Sequence, residues 1–165
     1  KVVIVVTNNP EAGVIERAKK LQIPAEIIPT NMYSNADWIS NMLLKYKVDY
    51  VILAGYLKLI PKGLIKNFTN RIVNIHPALL PKHGGKGMYG MKVHNEVKNQ
   101  GDKTTGITIH YVNEHFDEGE IIFHAETEIS ENDTPEFIAD KVHKLEYSYY
   151  PEVIEKIIQA GRENK

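Results

Sequence analysis

The sequence predicts an α/β fold: a Rossmann-like, mostly parallel sheet flanked by helices, with antiparallel strands near the C-terminal end. Three observations carry this. Short, continuous apolar runs rich in β-branched residues (1–6, 49–54 and 71–75) alternate with segments of helical period. That pattern belongs to parallel strands covered on both faces. Two later strand-like segments, 104–112 and 120–129, are separated only by a short turn, a spacing that permits antiparallel pairing but no parallel crossover. Finally, the chain has 165 residues, 42% hydrophobic and 25% charged, which suits one domain with a real core.

The elements follow in order. Residues 1–6 form a strand buried on both faces. Asn9 or a neighbour caps a helix over 11–21, in which Val14, Ile15, Ala18 and Leu21 recur with helical spacing. Pro24 and Pro29 bracket a short strand, 25–28. A second helix opens at 34–37 and runs to about Tyr46, with Trp38, Met42 and Leu43 inward. Residues 49–54 are the next buried strand, broken by Gly55, and a loop leads to Pro61 and a short helix over 62–68. The strand from Arg71 ends at Pro77, which cannot extend a hydrogen-bond ladder. Residues 81–90 carry four glycines and read as a loop. A helix over 91–99 stops at Gly101. The strand 104–112 alternates, with Ile107, Ile109 and Tyr111 on one face and Thr108, His110 and Val112 on the other. Asp133 or Thr134 caps a long final helix with Pro135 near its first position. Pro151 is expected to kink or divide that helix before 152–160, and Arg162, Glu163, Asn164 and Lys165 to form a frayed, charged end.

Composition narrows the function. A formal net charge of -1 does not suit a nucleic-acid partner or an anionic membrane. The absence of cysteine excludes disulfides, thiolate zinc sites and a cysteine nucleophile, and fits a reducing compartment such as the cytoplasm. No apolar run approaches the roughly 20 residues of a membrane span, and no signal peptide is visible.

The chemistry gathers at the end of the strand from Arg71. Asn74 and His76 are two apart, so they share a face, at the strand end where open α/β sheets bind ligands. An imidazole can accept or donate a proton near neutral pH, and an amide NH2 can hold an oxyanion. Together they suit acyl transfer or another carbonyl addition. No serine adjoins them, which favours direct transfer between two bound substrates. The alternative is that both side chains only satisfy backbone groups of the loop. A carboxylate partner would orient His76 and raise its pKa. Asp117 is the best candidate, with Glu114 and Glu118 as competitors, and all three could be ordinary solvated acids. His110, His115, Asp117 and His124 have no recognisable ligand spacing, so no metal is expected.

Three runs carry a family resemblance: Leu53-Ala54-Gly55-Tyr56-Leu57-Lys58-Leu59-Ile60, Asn74-Ile75-His76-Pro77-Ala78-Leu79-Leu80-Pro81, and Phe116-Asp117-Glu118-Gly119-Glu120-Ile121-Ile122. With them the chain resembles the folate-dependent formyltransferase family from residue 2 to about residue 161. The Asn-Ile-His-Pro run is the most specific part. The resemblance implies the formyltransferase fold in a single domain over 1–165. It implies transfer of the formyl group of 10-formyltetrahydrofolate, as co-substrate and without metal, to the amine of glycinamide ribonucleotide in purine biosynthesis. Asn74, His76 and Asp117 match the family's catalytic residues. Leu57, Lys58, Leu59 and Ile60 match the segment that holds the pterin ring; Asn113, Glu114, His115, Phe116 and Asp117 match the loop that closes over it. His143 and Glu146, three apart on one helix face, match positions beside glycinamide ribonucleotide. The protein would act as a monomer or homodimer on small molecules, with no nucleic acid and no membrane.

The departures are specific. The family begins with a further strand, a phosphate-binding loop and a helix ahead of residue 1. The chain given is therefore expected to be a fragment, or the ordered part, of a longer protein. Ala36 stands near a position where the family often has a folate-contacting arginine. The loop over 82–91 is longer than usual, and its run Gly84-Gly85-Lys86-Gly87 is a weak phosphate-binding candidate. Two other readings compete. A formyltetrahydrofolate hydrolase would use the same three residues but pass the formyl group to water. A folate- or nucleotide-binding module would catalyse nothing. A tRNA-directed formyltransferase would need a C-terminal domain and more basic charge.

Overall fold

A computed structural model describes residues 1–163. They fall into two compact units. One comprises Lys1–Val51 and Ile60–Thr69; the other comprises Ile52–Leu59 and the chain from Asn70 onward.

In the first unit β1 (Val5–Thr7) pairs in parallel with β2 (Ala25–Ile27), Val5 opposite Ala25. The helix α1 (Gly13–Lys20) joins them. The expected strand over 1–6 is shorter and only half-buried, and Val2 is 57% exposed. Among the described residues β1 has one hydrogen-bonded neighbour, β2. Asn9 does not cap α1. Its Oδ1 accepts the amide of Glu11 at 2.9 Å, closing a local turn, and Ala12 takes the cap position with no side-chain bond. In α2 (Ala36–Lys45) the cap is Asn35, whose Oδ1 accepts the Trp38 amide at 2.9 Å. Ile39, Ser40 and Leu43 are its buried seam, while Trp38 and Met42 are half-buried. The helix α3 (Lys62–Asn67) is tied to α2 by Asn67, which donates to Ser40 Oγ at 3.0 Å.

The second unit holds a sheet in the order β3-β4-β5-β6, with β3 at Val51–Leu53, β4 at Ile72–His76, β5 at Thr104–Tyr111 and β6 at Ile121–Glu128. Strand β3, expected to be buried, is half-buried along its length. Strand β5 is antiparallel to both neighbours. On one face Val73, Ile107 and Ile109 pack with Val142, Tyr150 and Val153 of α5 (Pro135–Glu163). A second cluster joins Ala78, Ile129 and Ile138 to Val93 and Val97 of α4 (Met91–Asn99). Of the two candidate caps of α5, Thr134 serves, its Oγ1 accepting the Phe137 amide at 3.2 Å. Asp133 instead accepts the Ser130 amide at 2.9 Å and pairs with Lys141 at 2.6 Å.

Pro151 does not divide α5, which is continuous through it. Proline removes the bond to the carbonyl four residues earlier, here that of Tyr147, a residue 79% exposed, so water can serve that oxygen. On either side of the proline, Tyr150 and Val153 are buried in the same core. The Tyr150 hydroxyl donates to the Leu53 carbonyl at 2.7 Å, with the Val73 carbonyl at 3.2 Å. Arg162 and Glu163 close α5 and are exposed; Asn164 and Lys165 lie outside the described residues. Among the described residues no helix is long and apolar enough to cross a membrane.

Candidate active site

The site forms where β4 stops. The pleat turns Val73, fully buried, into the core and carries Asn74 and His76 on the other face. In register, Asn74 lies opposite His110 of β5, and His76 opposite Thr108. Thr108 fixes the turn that follows: its hydroxyl donates to the Ala78 carbonyl at 2.7 Å and accepts the Leu80 amide at 2.9 Å. The chain beyond His76 is therefore held by the strand beside it.

His76 is 3% exposed. Its Nε2–H donates to the His83 carbonyl at 2.8 Å, and its Nδ1 lies 3.5 Å from Asp117 Oδ2. The second distance is at the outer limit of a hydrogen bond, so Asp117 acts on the ring mainly as a charge. Asp117 sits in the β5–β6 connection with φ 57°, a left-handed conformation that aspartate tolerates better than most residues. Its Oδ2 also accepts the Gly85 amide at 3.0 Å, and its Oδ1 is 3.7 Å from His110 Nε2. Close chain approach shapes the same turn: a Cβ at Gly119 would lie 1.7 Å from the Tyr111 carbonyl oxygen. His110 completes the group. Its Nδ1–H donates to the Tyr111 carbonyl at 2.8 Å, so Nε2 is left to accept an N–H of Asn74 at 3.2 Å. The second N–H of the Asn74 amide remains for an incoming oxygen.

Burial pushes the His76 pKa below its ordinary value; the Asp117 charge and the His83 carbonyl pull it up without compensating. The carboxylate partner does raise this pKa, as expected, but desolvation of a ring this deeply buried outweighs one carboxylate at 3.5 Å, so the net shift is downward. For Asp117 burial pushes up, but the His110 contact, the His76 charge and the Gly85 amide together bring the pKa below the ordinary carboxylate value. The site thus holds an ionised acid beside an imidazole kept largely neutral until it meets a charge or a proton donor.

Asn74, His76 and Asp117 are therefore brought together, whereas Glu114 and Glu118, the competing acids, are exposed. His115 is exposed and Phe116 half-buried. Asn113 braces their loop, donating to the Glu118 carbonyl at 3.0 Å and accepting the His115 amide at 2.9 Å. In the loop after β3, Leu57 and Leu59 are 54% and 48% exposed, Lys58 is exposed, and Ile60 is buried in the first unit. His143 is exposed on α5, and Glu146, half-buried one turn on, has its pKa raised by burial against the opposing charge of His143.

Sequence reading missed three contributors. The sequence offers His110 only as a metal ligand. His83 lies in the glycine-rich loop, where its ring bonds Asp102 at 2.6 Å, and Lys82 pairs with the same carboxylate. That bolt fixes the carbonyl that receives His76. His94 of α4 is buried with its ring edge-on to that of His143. The run Gly84-Gly85-Lys86-Gly87 commits the Gly85 amide to Asp117. Among the described residues no group of three or more His, Asp or Glu could hold a metal ion.

The fold is similar to those of solved phosphoribosylglycinamide formyltransferases. The crystal structure of phosphoribosylglycinamide formyltransferase from Bacillus halodurans matches with a TM-score of 0.86 at 33% identity, over 96% of this chain and 81% of that one. The chain belongs to the formyl transferase family, whose model matches residues 1–154. It is 45% identical over 163 residues to the chloroplastic phosphoribosylglycinamide formyltransferase of Arabidopsis thaliana, covering 96% of this chain and 56% of that protein. It is 36% identical to the Bacillus subtilis phosphoribosylglycinamide formyltransferase, covering 94% of this chain and 79% of that protein. The chain spans about half the length of the two plant relatives it matches, 56% and 52%.

Proposed function

We propose that the protein transfers the formyl group of 10-formyltetrahydrofolate to the amine of glycinamide ribonucleotide, with residues 1–165 acting as one formyltransferase domain. The observation that carries this reading is the convergence of Asn74, His76 and Asp117 at the end of β4, in a chain of the formyl transferase family.

The substrate amine attacks the formyl carbon and the carbonyl oxygen becomes an oxyanion. The spare N–H of Asn74 donates to it. His76 keeps Nε2–H on the His83 carbonyl, so its free Nδ1 takes the proton that the attacking amine gives up and then, as Nδ1–H, faces the oxyanion, while the ionised Asp117 at 3.5 Å stabilises the imidazolium so formed. Collapse of the intermediate breaks the bond from carbon to the folate N10, which takes that proton from His76 Nδ1. The protein supplies no nucleophile. The exposed apolar side chains of Leu57 and Leu59, with Lys58 between them in the chain, suit one face of a flat heteroaromatic ring, and the braced loop of Asn113, Glu114, His115 and Phe116 suits another. His143 and Glu146 are assigned to the ribonucleotide. The enzyme needs no metal, and its proposed compartment is the cytoplasm.

The test uses the full-length protein with glycinamide ribonucleotide and 10-formyl-5,8-dideazafolate, following loss of the donor spectroscopically. Donor loss that requires the amine is expected. Equal loss without the amine would replace transfer by hydrolysis, and no loss from well-folded protein would reject both. Fractionation of the tagged protein with an organelle would reject the cytoplasmic assignment.

A further inference from the structure

A neutral imidazole carries one ring proton, and to act as a base it must keep its lone pair on the nitrogen that faces the reaction. Two groups contest that proton in His76. The His83 carbonyl, which can only accept, lies 2.8 Å from Nε2 and holds the proton there. The Asp117 carboxylate lies 3.5 Å from Nδ1 and, as a negative charge, favours a proton on that side. The carbonyl prevails only while it stays at hydrogen-bond distance, because the pull of a charge reaches further than a hydrogen bond does. His83 has φ 57°, a left-handed conformation uncommon for any residue but glycine, and it is followed by Gly84 and Gly85, which add no stiffness. Its side chain, 4% exposed, donates Nε2–H to Asp102 Oδ2 at 2.6 Å. Asp102 lies between α4 and β5, and its amide donates at 3.3 Å to the carbonyl of Val97, a fully buried residue of α4. Burial pushes the Asp102 pKa up, but the contacts of Lys82 and His83 bring it below the ordinary carboxylate value, so it is an ionised acceptor.

We propose that Asp102 and His83 are positioning residues for the transfer: by pinning the His83 ring, Asp102 holds the His83 carbonyl on His76 Nε2 and so keeps Nδ1 free to take the proton of the attacking amine. This rests on the reading of His76 as the proton carrier of formyl transfer. With the tether cut, the backbone at His83 is free to turn and its carbonyl leaves Nε2. Asp117 then draws the ring proton to Nδ1. The ring becomes the wrong tautomer, since its lone pair faces the loop and Nδ1–H can take nothing from the amine. The neighbours of His76 on β5 do not replace the carbonyl. His110 gives Nδ1–H to the Tyr111 carbonyl and Nε2 to Asn74, and the Thr108 hydroxyl serves Ala78 and Leu80. A carboxylate set directly on Nε2 would fix the same tautomer. It would also place a second negative charge on a ring that must return its proton to N10. The carbonyl fixes the tautomer without that charge, and Asp102 steadies it from one residue further away.

The experiment compares wild type, Asp102→Ala and Asp102→Asn in the full-length protein. Alanine cuts the tether; asparagine returns an oxygen that can accept the His83 Nε2–H. In the alanine variant kcat is expected to fall about tenfold, with KM for glycinamide ribonucleotide and for 10-formyl-5,8-dideazafolate changed by less than about twofold. Asparagine should recover kcat to within about threefold of wild type. Imidazole 15N spectra of the ligand-free protein at about pH 8, where His76 is neutral, supply the independent reading. Wild type should carry the His76 proton on Nε2. In Asp102→Ala the proton should move to Nδ1 in most molecules, and the fraction still on Nε2 should match the fraction of kcat that remains, because only that fraction is competent. Wild-type turnover in folded Asp102→Ala overturns the proposal. So does a fall in kcat with His76 still protonated on Nε2, or an asparagine variant as slow as alanine, either of which would mean packing alone. Should the alanine variant not fold, His83→Asn is read in the same way: asparagine tolerates the left-handed φ but lacks the ring that reaches Asp102. Wild-type protein that yields no formylated product would reject the transfer reaction, while the spectra still decide whether Asp102 sets the His76 tautomer.

Discussion

Asp117→Asn tests the site most cleanly, because it removes a charge and almost nothing else. The amide oxygen can still accept the Gly85 amide, now received by Oδ2 at 3.0 Å, and asparagine tolerates the φ of 57° as well as aspartate does. What disappears is a negative charge 3.5 Å from His76 Nδ1. At that distance and an effective dielectric of ~20, the lost attraction to an imidazolium is about 5 kcal/mol. The Asp117 side chain is 12% exposed, so water and rearrangement recover part of it. About 3–4 kcal/mol should remain, a fall in kcat of about 10²- to 10³-fold. Because Asp117 pulls the His76 pKa upward, the His76 titration midpoint should also drop further in the variant. The assay is amine-dependent loss of 10-formyl-5,8-dideazafolate. Folate affinity by fluorescence and melting temperature serve as controls, and both should be nearly unchanged. Turnover within about threefold of wild type in folded protein would refute the electrostatic role assigned to this carboxylate.

Three further outcomes are expected. His76 and His94 both have folded-state pKa values below the ordinary 6.5, so the unfolded chain binds more protons and stability falls with pH below that value. For His94, with a folded value of about 4, the loss between about pH 7 and about pH 4 is on the order of 3 kcal/mol. Glu146, pushed up by burial, works in the opposite sense, so the comparison is made by urea titration of wild type against His94→Leu, which should flatten the dependence; parallel curves would reject it. Tyr150→Phe removes the hydroxyl that donates to Leu53 and should cost about 1–3 kcal/mol in the same titration. Gly119→Ala would set a methyl 1.7 Å from the Tyr111 carbonyl oxygen; the backbone must move, and a loss of about 3 kcal/mol or more is expected, read as a lower melting temperature.

Much of this was legible in the sequence because it depends on local rules. The alternation of β4 sets Asn74 and His76 on one face whatever the strand pairs with. Pro77 ends the strand, and the Thr134-Pro135 pair starts α5, both by local backbone chemistry. The alternation of β5 likewise put Thr108 and His110 on a common face. What could not be read was the register that sets His110 opposite Asn74 and Thr108 opposite His76, since register is decided by pairing and not by either strand alone. His83, His94 and Asp102 were missed for a related reason: each acts through a partner distant in sequence. The strand over 1–6 was overestimated because an apolar run states a capacity for burial, and neighbours decide how much of it is used. Pro151 was overestimated as a breaker because the rule weighs the lost hydrogen bond but not the core contacts of Tyr150 and Val153 on both sides of it.

The bond from the Gly85 amide to Asp117 has a consequence for how the site is held together. Residues 84–87 include three glycines, a stretch with much conformational freedom to lose on ordering. One of its tethers is a carboxylate oxygen, which accepts strongly only while ionised. The order of that stretch is thereby linked to a proton count: neutralising Asp117 both switches off the charge beside His76 and slackens the chain that walls it. The exchange rate of a single backbone hydrogen, that of Gly85, becomes a built-in gauge of the charge state of a side chain 32 residues further along.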